Sequence, residues 1–141
     1  MSYRHPVCTL LFLLMGCASI QATDPQGLRV AACQILVDGD REATFKRIEL
    51  ALAAATADDA DIACFPEACL LGWVNPTAHQ IAGTIPGPST ERLGHLARKY
   101  RVMISLGLAE QRDGRLHNSA VLIGRDGTVL LTHRKRNILG E

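Results

Sequence analysis

The 141 residues carry 15 Lys and Arg against 14 Asp and Glu, a formal net charge of +1. Phosphates therefore meet no cationic excess, and with aromatics at 4% there are few rings to stack on bases, so nucleic acid is not an expected partner. A hydrophobic content of 48% with 21% charge excludes a disordered or collagen-like polymer and fits one compact domain.

The chain opens with Arg4 ahead of an apolar run from Val7 to Met15, followed by small and polar residues. That layout predicts a secretory signal over residues 1–22, too short to span a bilayer as a stable helix. Leu14-Met15-Gly16-Cys17 resembles a bacterial lipobox, with the signal ending at Gly16 and Cys17 carrying a lipid anchor. Ile20-Gln21-Ala22 offers an ordinary cleavage site instead. Export is expected, to the periplasm or to a lipid anchor on the membrane. The plain alternative is an apolar leader from a misplaced start codon.

Leu28 to Ile35 predicts a strand in which the apolar run Val30, Ala31, Ala32 and Cys33 is buried on both faces. After the Asp38-Gly39 turn, Asp40 can cap a helix that presents Phe45, Ile48, Leu52 and Ala55 on one face. Asp58-Asp59-Ala60-Asp61 ends that helix, and Ile62 to Phe65 forms a second strand stopped by Pro66. Strand, helix, strand implies a right-handed crossover and parallel pairing. Gly72 to Pro88 reads as a loop with a short helix near Ala78 to Ala82, and Ser89 is placed to cap a helix carrying Leu93, Leu96, Ala97 and Tyr100. Strands follow over Val102 to Ala109, His117 to Ile123 and Thr128 to Arg134, joined at Arg112-Asp113-Gly114 and Arg125-Asp126-Gly127. The class is α/β. The last two strands carry apolar side chains to both faces, which calls for a second sheet on the face that helices leave open.

Cys8 and Cys17 lie in the leader, leaving Cys33, Cys64 and Cys69 as an odd set in apolar surroundings. Buried structural thiols are expected, not a disulfide framework. His79, His95, His117 and His133 fall on separate elements with no ligand spacing between them, so a metal is not expected.

Glu67 stands just past a buried strand that Pro66 ends, where parallel α/β sheets place functional groups, although a solvated loop carboxylate fits equally. Cys69 and Trp73 would border a pocket there or simply pack. Lys135, within Arg134-Lys135-Arg136, taken alone is most simply a basic strand end that discourages edge pairing.

Four segments in order change that balance: Leu28 to Gln34, Ala60 to Glu67, Asn118 to Ile123 with Asp126-Gly127, and His133-Arg134-Lys135. Together they resemble the amino-terminal half of the nitrilase superfamily of carbon–nitrogen hydrolases, over residues 28–141. The resemblance implies an αββα sandwich of the nitrilase type, only its first half present, and a Glu-Lys-Cys triad with Glu67 and Lys135 in the first two places. It implies a thiolate attacking an amide or nitrile carbon through a thioester, with no cofactor, and a homo-oligomer in the full-length form. No cysteine follows Lys135, and Glu141 lies near where the family carries a second glutamate. The expectation is an amidase-like hydrolase of non-peptide carbon–nitrogen bonds whose nucleophile is missing from this chain, making it inactive alone. Its rivals are an inactive fragment or binding module, and an acyltransferase that passes the same acyl group to an amine.

Overall fold

A computed structural model describes residues 27–137; the expected signal over 1–22, with Cys17, and Glu141 lie outside them. The elements are β1 (Val30–Ala32), α1 (Arg41–Ala57), β2 (Ile62–Cys64), α2 (Ala78–Ile81), α3 (Pro88–Tyr100), β3 (Met103–Arg112), β4 (Arg115–Ile123) and β5 (Val129–Arg134). The strands form one five-stranded sheet whose spatial order follows the chain. β1, β2 and β3 pair in parallel, then β4 and β5 return antiparallel. β5 therefore runs in the same direction as β2, and the carboxyl ends of both strands share one edge of the sheet.

Local chemistry sets the helix boundaries. The Asp40 carboxylate accepts from the Ala43 N–H at 3.0 Å, satisfying an orphan donor at the start of α1. α3 begins at Pro88, two residues before the start that a Ser89 cap predicts. Proline loses nothing at a first helical position, where the N–H has no partner, and the Gly87 N–H donates to Thr90 Oγ1 at 2.9 Å. Asp113 and Gly114 both take positive φ, 50° and 73°, as a two-residue β3–β4 hairpin requires.

The helices cover one face of the sheet. Phe45, Ile48 and Leu52 of α1 and Leu93 and Ala97 of α3 pack against Ala63, Ile104, Leu106, Leu108, Val121 and Ile123. On the opposite face lie Ile62, Met103, Ala120 and Leu122, half-buried, with Val30 and Leu131 each 56% exposed. This corrects the expectation for the first strand: β1 is three residues long and its Val30 is open. β1 is an edge strand, and no described helix covers that face. One helical layer backs one sheet, and the expected need for a cover on the second face stands.

Candidate functional site

Beyond Pro66 the chain leaves β2 and runs over β3. Phe65 N–H donates to Ser105 O, Gly107 N–H to Pro66 O, and Cys69 N–H to Gly107 O, at 2.8, 3.2 and 2.8 Å. Gly107 makes this path open: a Cβ there would stand 2.6 Å from Glu67 Cα. Glycine within a strand often marks such a close approach of another segment. Ala68 turns the chain with φ 50°, leaving Glu67 above the face that the helices do not cover.

Two side chains reach the same carboxylate oxygen. Asn118 Nδ2 donates to Glu67 Oε1 at 2.6 Å, and Lys135 Nζ donates to it at 3.0 Å. Asn118 belongs to β4, while Lys135 follows β5 and is tied by its backbone N–H to Asn118 O at 2.8 Å. Parallel β2 and β5 thus bring together two residues 68 positions apart. The Lys135 ammonium also lies 5.2 Å from the Trp73 ring centroid, within cation–π reach.

The Asn118 hydrogen bond, and then that of Lys135, hold the Glu67 carboxyl below the usual carboxylate range against the opposing effect of burial. Glu67 is therefore ionised at neutral pH. The pair opens on a cleft of about 320 Å³ that Phe65, Ser105, Asn118 and His133 also line. Trp73, Ala109 and Leu116 border a second cleft of about 240 Å³ beyond Asn118. A carboxylate can accept a proton from an incoming nucleophile there, and the ammonium can hold developing negative charge.

Among the described residues no cysteine lines either cleft. Cys69 is fully buried and its thiol is pushed up to about 12 by burial, so it packs as a small apolar group. Burial, then neighbouring Cys64, raises the Cys33 thiol. Trp73, by contrast, is 62% exposed and borders the second cleft. Sequence reasoning assigned no role to Asn118 or Gly107. Asn118 was visible only as part of a motif, whereas a glycine inside an apolar strand was a readable signal.

A solved structure defines the fold. A carbon-nitrogen hydrolase from Helicobacter pylori G27 matches with a TM-score of 0.71 and 23% identity, over 80% of this chain and 41% of that one. The fold is thus the nitrilase-type αββα sandwich, of which these residues form the first helical layer and the first sheet. The chain belongs to the carbon-nitrogen hydrolase family, which matches residues 29–140, within the nitrilase superfamily. An omega-amidase of Xenopus tropicalis is 31% identical over 108 residues, 76% of this chain and 39% of that protein. A bifunctional nitrilase/nitrile hydratase of Lupinus angustifolius is 33% identical over 115 residues, 68% of this chain and 33% of that one. The chain spans well under half the length of these curated relatives.

Proposed function

We propose that this chain supplies the carboxylate and the ammonium of a hydrolase cleaving non-peptide carbon–nitrogen bonds in amides or nitriles. Glu67 is the general base and Lys135 the oxyanion stabiliser. The observation that supports this reading is the shared contact of Asn118 and Lys135 on Glu67 Oε1, at the mouth of a cleft and within a family of carbon–nitrogen hydrolases. In this scheme the nucleophilic thiol comes from outside residues 27–137 and yields its proton to Glu67. The thiolate adds to the amide carbon, and Lys135 donates to the oxyanion. Collapse expels the amine, which takes the proton back from Glu67. Water, deprotonated by Glu67, then releases the acid from the thioester and restores the thiol.

The test is hydrolysis of simple aliphatic amides, nitriles and N-carbamoylated amines by the protein as its gene encodes it. Glu67→Gln and Lys135→Ala are expected to lower kcat by about 10²- to 10⁴-fold with smaller changes in KM. Unchanged kcat in both variants would leave only a binding role. The 141-residue chain assayed alone is expected to show no turnover, because Cys33, Cys64 and Cys69 do not line the cleft. Turnover abolished by Cys69→Ala or Cys33→Ala would refute that. The leader adds a location to the proposal: export, with acyl mass on Cys17 if the lipobox is used and a start at Thr23 if it is not.

A further inference from the structure

A charged cluster lies behind the site, on the helix-covered face of the sheet, and the chemistry above does not use it. Glu110 of β3 is only 1% exposed. Its carboxylate accepts from Arg134 Nε at 2.8 Å, Arg134 Nη2 at 2.7 Å and Ser119 Oγ at 2.7 Å. Those donors stand on β5 and β4, so one carboxylate ties three consecutive strands together. Ser119 and Arg134 are direct partners across the ladder. Their chain neighbours, Asn118 and Lys135, project to the other face because side chains alternate along a strand.

We propose that Glu110 is a positioning residue for the Glu67–Lys135 pair, fixing the register of β4 and β5 from behind so that Asn118 and Lys135 meet Glu67. The inference rests on the functional reading above for the meaning of that pair, and on geometry for the rest.

A buried ion pair gains little over apolar side chains of equal volume, and its best-attested use is to specify one arrangement among several. Register has an immediate consequence at this site. A slip of one residue in β5 would turn Lys135 toward the helices and Arg134 toward Glu67. Apolar patterning does little to prevent it, since Leu130 and Leu131 are both 56% exposed and β5 has weak contrast between its faces. Nor is the register inherited from the β4–β5 turn. The ladder shifts between Leu122 and Ile123, between that turn and the site. The directional contact that resets it on the site side is the fork of Arg134 on Glu110. Gly83, bridged to Glu110 beside β3, closes the remaining flank of the cluster.

The test is zero-length cross-linking of the full chain with a carbodiimide, which joins a carboxylate to an amine in contact, read by peptide mass spectrometry. The Glu67–Lys135 link reports the site. The Glu49–Lys99 contact, 2.6 Å between α1 and α3, reports an intact helical layer in the same sample. Glu110→Gln is expected to lower the ratio of the first link to the second at least about threefold. Glu110→Leu with Arg134→Met, which removes both charges and keeps the volume, is expected to restore the melting temperature while leaving the ratio low. An unchanged ratio in either variant would overturn the proposal. So would loss of both links in both variants, since the cluster would then hold the whole fold and not the site. Turnover does not enter: a failed functional reading appears as activity insensitive to Lys135→Ala, whatever the link ratio.

Discussion

Glu67 makes both of its side-chain hydrogen bonds through Oε1, so among the described residues Oε2 has no side-chain donor and can take a proton. The Asn118 hydrogen bond is the largest single cause that lowers the Glu67 carboxyl, followed by the hydrogen bond and then the charge of Lys135. Asn118→Ala is therefore expected to raise the Glu67 midpoint toward 4.5, its ordinary value, in a carbon-13 titration of the carboxyl. The sign for stability follows. A carboxyl lowered in the folded chain contributes its full stabilisation above the unfolded value and loses it as pH falls through the folded one. The unaltered chain should thus lose stability more steeply than Asn118→Ala below about pH 4.5, by a small amount because the Glu67 side chain is 48% exposed and solvent screens it. Parallel melting curves of the two proteins from pH 6 to pH 3 would show the prediction to be wrong.

At the scale of the elements, the β2–β3 crossing depends on Gly107. Gly107→Ala places a methyl 2.6 Å from Glu67 Cα and 3.1 Å from Pro66 O and Ala68 N, all backbone, so the loop must lift. The expected cost is about 1–3 kcal/mol, as for other overpacked sites, together with loss of the Glu67–Lys135 cross-link; a wild-type melt with the link retained would contradict it. Most elements are legible in the amino-acid sequence. α1 showed its face through Phe45, Ile48 and Leu52, and β2 its end through Pro66. The short, open β1 was not, because apolar residues on a sheet edge look the same as those in a sheet centre until the neighbouring layer is known. The meeting of Glu67 and Lys135 was legible through their motifs and through the placement of both at carboxyl strand ends. Glu110 with Arg134 was not, since a strand-end Arg beside Lys135 suggests solvent and pairing across three strands leaves no local spacing to find.

At the largest scale, residues 27–137 form one helical layer on one sheet, with Val30, Ile62, Met103, Leu122 and Leu131 on the face away from the helices. Each 100 Å² of apolar surface covered there is equivalent to about 2.5 kcal/mol, so several hundred Å² rivals the net stability of a domain. The 141-residue chain in isolation is expected to bind a hydrophobic dye and to self-associate, and Val30→Lys with Leu131→Lys should weaken both. A dye-silent monomer in sedimentation would show the face to be closed. The strand order has a kinetic consequence as well. β3, β4 and β5 are joined by short turns, whereas β1 to β2 and β2 to β3 each close through a helical crossover, and long closures are slow. The meander should therefore condense first, with the stretch carrying Glu67 laid across Gly107 only after the crossovers dock. Pulsed hydrogen exchange during refolding should protect the amides of Val121 and Leu122 before that of Cys69, whose acceptor is Gly107 O. The Glu67 stretch would then be the last part of the sheet to come to rest, settling onto a Lys135 already held beside β4.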